Sequence, residues 1–98
     1  MSMEVFVFAR FHALEGRQGA LADLLREEVR AARADPGCVA HAAYRSLRDP
    51  SLFWIHSHWQ DESAFDSHAE MPHTVRFIEK IESLIDHPLD VTRTHALV

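Results

Sequence analysis

A strand-to-helix junction near the middle of the chain carries the residues best suited to chemistry. An apolar segment ends at Trp59, and the acidic pair Asp61 and Glu62 then favours the start of a helix. His68 follows about two turns into that helix, and a proline interrupts the helix just before His73. A large ring at a strand end and imidazoles on the next helices can converge on one cavity. The stretch therefore predicts one wall of an active site.

The predicted hairpin that leads to Trp59 presents one mostly apolar face, which we place under the helices. Alternation with a period of two puts these side chains on it: Ala40, Ala42, Tyr44, Phe53, Ile55, Ser57 and Trp59. The small alanines leave room for a planar aromatic ligand stacked on Tyr44 and Trp59, with Phe65 from the next helix against it. The structural alternative is that Trp59 and Phe65 are core residues.

The histidines above this face are suited to proton transfer. Deprotonating a phenol or hydroquinone gives an electron-rich anion that can pass an electron to oxygen. A neutral imidazole can take that proton because histidine titrates near neutral pH, so His68 or His73 is the predicted base. Arg76 is placed to hold the anion, and His12, near the end of the first strand, is a further pocket candidate. The alternative for His68 is a structural role, bracing its helix against the sheet.

A second group of histidines is predicted on the other face of the hairpin. An even-length turn that pairs Leu47 with Leu52 puts His41 opposite His58 and next to His56. Three imidazoles can bind zinc or another first-row metal. The alternatives are a polar patch at a dimer interface, or a pH-sensitive interface that protonation weakens.

The elements that must position these residues follow from apolar periodicity. Strands are predicted over residues 3–12, 38–47, 52–59 and 87–98, and helices over 20–34, from 61 to the proline, and over 73–85. This order is the split βαβ arrangement, so we predict an α+β, ferredoxin-like βαββαβ fold with an antiparallel sheet. In the first helix, we expect Glu28 to lie with Glu27 on a solvated face.

The composition narrows the class of protein. A chain of 98 residues predicts one domain spanning residues 1–98. The net charge of -5 argues against a nucleic-acid partner, and the absence of a long apolar run argues against a membrane span. The single cysteine fits a reducing compartment, so we expect a cytoplasmic protein. A sheet with helices on one face would leave bulky apolar groups on the other, which predicts a homodimer joined through that sheet face.

Short motifs in a defined order give the chain a family resemblance. They are Asp35-Pro36-Gly37-Cys38-Val39, Tyr44-Arg45-Ser46, Asp49-Pro50, Trp59, Ala64-Phe65, His68 and Pro72-His73. In these motifs the chain resembles the antibiotic biosynthesis monooxygenase (ABM) domain family. The resemblance implies a ferredoxin-like fold whose two subunits form a dimeric α/β barrel. Family members include cofactor-independent oxygenases of anthrone-type or quinol substrates, haem-degrading enzymes and an isomerase, so the resemblance fixes the fold better than the reaction.

Two departures from the family pattern limit what can be transferred. Ser57 stands where the family commonly has a glutamate, two residues before the tryptophan. Haem-degrading members rely on an asparagine in the first strand and a tryptophan in the second helix. This chain contains no asparagine, and its tryptophans stand at positions 54 and 59, before that helix. The resemblance therefore argues against haem degradation.

Together these features predict a monooxygenase that oxidises a small phenolic, anthrone or quinol-type aromatic without a tightly bound cofactor. The alternative is a non-catalytic dimeric barrel that binds a small aromatic or apolar ligand. A haem- or metal-binding member is a third possibility, with His41, His56 and His58 as the candidate ligands.

Overall fold

A computed structural model describes residues 3–98 of the chain. It contains four strands and three helices, in the order β1 (Val5–His12), α1 (Gln18–Ala32), β2 (Cys38–Arg45), β3 (Leu52–Trp59), α2 (Glu62–Ala69), α3 (Pro72–Ile81) and β4 (Asp90–Thr94). Every predicted element is present in the predicted order.

The strands form one antiparallel sheet in the order β2-β3-β1-β4. The first strand therefore lies in the centre, between β3 and β4, although both follow it late in the chain. This topology confirms the predicted α+β, ferredoxin-like fold.

The helices cover one face of the sheet and bury the core against it. In β1, alternate residues Val5, Val7, Ala9 and Phe11 are buried, as the period of two requires when one face is covered. On α1, the buried positions recur with helical spacing: Leu21, Ala22, Leu25, Glu28, Val29 and Ala32. None of the helices described between residues 3 and 98 is long and apolar enough to cross a membrane.

The predicted hairpin register is wrong by one residue. The turn has an odd length, because the Ser46 N–H donates to the Leu52 carbonyl at 2.9 Å. His41 therefore pairs with Ser57 instead of His58. A slip of one residue moves every side chain of a strand to the other face, so His41 lies under the helices.

The same slip moves the other members of the predicted hairpin face. Tyr44 pairs with Trp54 on the open face of the sheet and is 48% exposed, so the prediction that it shares the covered face with Trp59 is wrong. Ala42 pairs with His56 and Ala40 with His58, also on the open face. The predicted cluster of three histidines is therefore divided between the two faces of the sheet.

The chain leaves its last helix earlier than predicted. The third helix ends at Ile81 instead of Ile85, and Leu84 then donates its N–H to the Ile81 carbonyl in a turn. Leu84 also accepts from the Leu14 N–H, and Ile85 bridges to Ala13. These contacts tie the segment before β4 to the end of β1.

Candidate functional site

Two carboxylates and two imidazoles meet between the helices. His68 Nδ1 lies 2.7 Å from Asp35 Oδ2, and His73 Nε2 lies 2.9 Å from the same oxygen. Glu28 contacts the other sides of both rings: its Oε1 is 2.9 Å from His73 Nδ1, and its Oε2 is 3.8 Å from His68 Nε2. Glu28, Asp35 and His68 are buried, and His73 is half-buried. We call these four residues the histidine–carboxylate cluster.

Breaks in the helices bring these side chains together. Pro72 occupies the first turn of α3 and holds Met71 in an extended conformation, so α2 cannot continue through it. His68 lies just before this break and His73 just after it, and both rings reach Asp35. The break therefore lets two histidines close in sequence approach one carboxylate from different helices.

The turn after α1 places Asp35. The Asp35 N–H donates to the Ala32 carbonyl, and the Asp35 carbonyl accepts from the Cys38 N–H. Gly37 allows this tight turn because its φ is +82°, a conformation that residues with a Cβ rarely adopt. The turn thus delivers the Asp35 carboxylate to a buried position.

The carboxylates on the two sides of His73 favour its charged form. Partial burial lowers its pKa, but the hydrogen bonds to Glu28 and Asp35 more than offset this, so the pKa is raised above the ordinary value of 6.5. Both ring nitrogens of the imidazolium can then donate, one to each carboxylate.

His41 is held in its neutral form on the other side of His68. Burial lowers its pKa from 6.5 to about 4, and repulsion from His68 and Arg33 acts in the same direction. Its ring centre is 5.8 Å from that of His68, and its Nδ1 has no hydrogen-bond partner among the residues that the structure describes. His41 therefore contributes an uncharged imidazole with unused hydrogen-bonding capacity.

An apolar cavity adjoins the cluster. It has a volume of about 210 Å³ and lies between the covered face of the sheet and the helices. Its apolar wall includes Phe11, Ile55, Phe65, Phe77 and Val91, and its polar lining is Glu28, His41, Ser57, His68 and Thr74. A mostly apolar cavity with a few polar groups at one end is the usual form of a small-molecule site.

The structure brings together some of the predicted site residues. His68 and Phe65 line the cavity, and His73 lies beside His68 with ring centres 5.7 Å apart. Trp59 is fully buried in the core, where its ring contacts that of His68 at 4.6 Å between centres. Trp59 therefore packs against the His68 ring and is not part of the cavity lining.

Two other predicted residues lie apart from the cavity. Arg76 lines a separate recess of about 50 Å³ on the outer side of Glu28 and His73. His12 lies at the far end of β1, where it is bound by Asp86 at 2.9 Å and Asp49 at 3.2 Å. His12 is thus part of a surface ion-pair group at the opposite end of the sheet.

The sequence interpretation missed two members of the cluster. Glu28 was expected to be solvated, but it is 4% exposed, so that prediction is wrong. Its spacing carried the signal: Glu28 follows Leu21 by two helical turns and precedes Ala32 by one, so it falls on the buried stripe of α1. Asp35 carried no such periodic signal, because its position depends on the turn after the helix. The sequence singled it out only as part of the family motif Asp35-Pro36-Gly37-Cys38-Val39.

Comparisons with known proteins agree with this architecture. The antibiotic biosynthesis monooxygenase family, abbreviated ABM, matches residues 4–80. "Putative monooxygenase YcnE" of Bacillus subtilis is 32% identical over 66 residues, which cover 67% of this chain and 70% of that protein. "Putative monooxygenase Rv0793" of Mycobacterium tuberculosis is 28% identical over 92 residues, which cover 94% of this chain and 90% of that protein.

A solved structure extends the match to the full fold. The crystal structure of PA3566 from Pseudomonas aeruginosa superposes with a TM-score of 0.91 at 28% sequence identity, covering 100% of this chain and 98% of that one. The fold and the site define a ferredoxin-like α+β protein with a buried histidine–carboxylate cluster beside an apolar cavity. The chain belongs to the antibiotic biosynthesis monooxygenase family.

Proposed function

We propose that this protein is a monooxygenase that oxidises a small phenolic or quinol-type aromatic with molecular oxygen and no tightly bound cofactor. The observation that carries the proposal is the position of His68. Asp35 engages its Nδ1 at 2.7 Å, while the ring lines an apolar cavity of about 210 Å³. A neutral His68 that donates from Nδ1 keeps a lone pair on Nε2, and that lone pair can accept a proton from the substrate.

The reaction balances without an external reductant. His68 Nε2 takes the phenolic proton, the phenolate passes one electron to oxygen, and the two radicals combine to form a carbon–oxygen bond. His68 returns its proton to the peroxide oxygen and then removes the ring proton from the same carbon, which forms the ring carbonyl and breaks the oxygen–oxygen bond to release hydroxide. The hydroxide takes the proton held by His68 and departs as water. The substrate supplies all the electrons, and one oxygen atom enters the product.

The protein's contribution is to hold the anion and to exclude water. Asp35 stabilises the imidazolium that forms at His68, since a carboxylate on the far nitrogen favours the charged ring. His41 and Thr74 line the same cavity and supply polar atoms for the substrate oxygen. They would hold the substrate oxygen in a chain that contains no asparagine.

The size of the cavity narrows the substrate class. An apolar cavity of about 150 Å³ accommodates benzene. The cavity of about 210 Å³ in this protein therefore suits a one-ring or compact two-ring aromatic. A three-ring anthrone would require the lining residues to move.

Oxygen uptake tests this function. We expect wild-type protein to consume oxygen with a one- or two-ring hydroquinone or naphthol, and mass spectrometry under ¹⁸O₂ to find one labelled atom in the product. His68→Gln should slow uptake by roughly 100-fold or more. His56→Gln, a histidine change on the opposite sheet face, should have no effect. Tight binding of these compounds without uptake would refute the oxygenase and favour a ligand-binding barrel.

We also propose that two copies associate through the open face of the sheet. Phe8, Tyr44 and Trp54 are 44%, 48% and 37% exposed on that face, and a patch of this kind on a small protein usually has a partner. Light scattering should give a mass of twice 11.2 kDa. Trp54→Glu should shift the mass to that of one chain, whereas Val75→Glu on the helical side should not. A wild-type monomer would refute the dimer.

A further inference from the structure

We propose that Glu28, His68 and His73 form a binding site for a first-row divalent cation such as Zn²⁺ or Co²⁺. The proposal goes beyond the oxygenase function, since it concerns binding that is measured without substrate. Two imidazoles and a carboxylate are ligands that these borderline-soft ions accept.

The ligand atoms are close enough for one ion. One ligand atom each from Glu28, His68 and His73 lies within 4.8 Å of the other two. Bonds of about 2.1 Å in a tetrahedral arrangement put ligand atoms roughly 3.4 Å apart. The observed separations are 3.8 Å from Glu28 Oε2 to His68 Nε2 and 2.9 Å from Glu28 Oε1 to His73 Nδ1, so each of these two pairs lies about half an ångström from that spacing.

Asp35 orients both histidines as a metal site requires. Histidines that bind a metal usually donate their other ring N–H to a carboxylate or carbonyl, which fixes the tautomer. Asp35 Oδ2 contacts His68 Nδ1 at 2.7 Å and His73 Nε2 at 2.9 Å. The nitrogens that remain, His68 Nε2 and His73 Nδ1, both lie beside Glu28. A simple ion-pair cluster does not require this shared orientation.

The charge within the cluster favours a cation. Glu28 and Asp35 are 4% and 8% exposed, and buried charges are costly unless they are balanced. A divalent cation bound between them would balance the two carboxylates.

The surroundings leave room for a fourth ligand. Glu28 and His68 line the cavity of about 210 Å³, so water can reach the site from that side. His41 lines the same cavity, is 5% exposed, and its Nδ1 lacks a hydrogen-bond partner within residues 3–98. This unpartnered imidazole lies beside the cluster, with its ring centre 5.8 Å from that of His68.

Metal binding and the proposed oxygenation use the same atom. An ion on His68 Nε2 occupies the lone pair that accepts the substrate proton, so the metal-loaded protein cannot deprotonate the substrate. The two uses of the cluster are therefore mutually exclusive, and each can fail without the other.

Calorimetric titration with Zn²⁺, and visible absorption on adding Co²⁺, test the site at pH 8. We expect one equivalent to bind. Glu28→Gln and His73→Gln should each weaken binding by at least about 100-fold, and Asp35→Asn by about 10–100-fold. His56→Gln and His87→Gln, which alter histidines outside the cluster, should bind as wild type does.

Thermal melts distinguish a variant that has lost the ion site from one that has failed to fold. Saturating Zn²⁺ should raise the melting temperature of wild type and of His87→Gln, but not that of a folded Glu28→Gln variant. Failure of wild type to bind either ion would overturn the proposal. Loss of binding in His87→Gln with full binding in Glu28→Gln would also overturn it, because it would place the ion in the exposed group of His12, Asp86 and His87.

Discussion

Asp35 holds His68 by a single nitrogen: His68 Nδ1 lies 2.7 Å from Asp35 Oδ2, and both side chains are buried. A carboxylate can only accept here, so the proton of a neutral His68 resides on Nδ1. The ring is also packed against Trp59, with centres 4.6 Å apart. This contact and the hydrogen bond fix both the tautomer and the orientation of His68. Proton transfer and metal binding would both depend on the Nε2 that they leave free.

Asp35→Asn should change the tautomer of His68. The carboxamide can either accept from a protonated Nδ1 or donate to an unprotonated one, so Nδ1 of His68 no longer has to carry the proton. Nitrogen-15 NMR of the imidazoles should show Nδ1 protonated in neutral wild-type His68 and a shift towards Nε2 protonation in the variant. Asp86→Asn, which removes a partner of His12 instead, should leave the His68 signals unchanged. Identical His68 signals in wild type and Asp35→Asn would show that Asp35 does not set the tautomer.

The buried His41 should make the fold sensitive to acid. Its pKa is lowered by burial to about 4 in the folded protein, against 6.5 for the ordinary group. The unfolded chain therefore takes up this proton first, and stability is lost as the pH falls from about 6.5 towards 4. The difference corresponds to about 3 kcal/mol of unfolding free energy. Above about 6.5 this residue contributes no pH dependence.

Urea unfolding between pH 7.5 and 4, at one protein concentration, measures this loss. His41→Gln removes the titrating ring, so its stability should depend less on pH than that of wild type, by up to about 3 kcal/mol over this interval. His56→Gln on the open face is the matched histidine control. Parallel curves for wild type and His41→Gln would contradict the assignment.

The sequence predicted the elements well because each has a strong apolar pattern, as in the alternation of Val5, Val7, Ala9 and Phe11. It failed on the register of the hairpin. Ala40 and Ala42 on one face of β2 and Ala43 on the other are equally small, so the pattern does not say which face is buried. The odd-length turn decides the register. In that register His41 is the one polar residue of β2 that is buried, and it lines the candidate site.

The candidate site was predicted only in part for a similar reason. His68 and His73 stand close in sequence, next to a helix-breaking proline, and were recognisable from that pattern. Their partner Asp35 comes from a turn more than thirty residues earlier. Its approach depends on how α1 packs against α3, which no local pattern records.

Trp59 should matter for stability through its bulk more than through its indole nitrogen. The side chain is fully buried, and its Nε1 has no hydrogen-bond partner in the described part of the chain. Trp59→Ala should cost about 3–5 kcal/mol in urea unfolding, as expected for a large cavity. Trp59→Phe also deletes an unpaired N–H whose burial costs about 1–3 kcal/mol, so its net cost should stay below about 2 kcal/mol. Leu47→Ala, at an exposed position, should change stability by less than about 0.5 kcal/mol.

Gly37 and Gly16 provide a matched pair for the turn that positions Asp35. Both have positive φ, +82° and +83°, so alanine at either site meets about 1–2 kcal/mol of backbone strain. At Gly37 an added Cβ would also lie 2.5 Å from Ala64 Cβ and 3.2 Å from Gln60 Cγ, whereas at Gly16 it meets nothing within 4 Å. Overpacking costs a further 1–3 kcal/mol or so, so Gly37→Ala should lower the unfolding free energy by about 2–5 kcal/mol and Gly16→Ala by about 1–2. The turn that Gly37→Ala would strain carries Asp35, the partner of His68. Gly37→Ala should therefore also shift the imidazole NMR signals of His68, whereas Gly16→Ala should not. Equal losses for the two variants would mean that α2 does not pack closely against this turn.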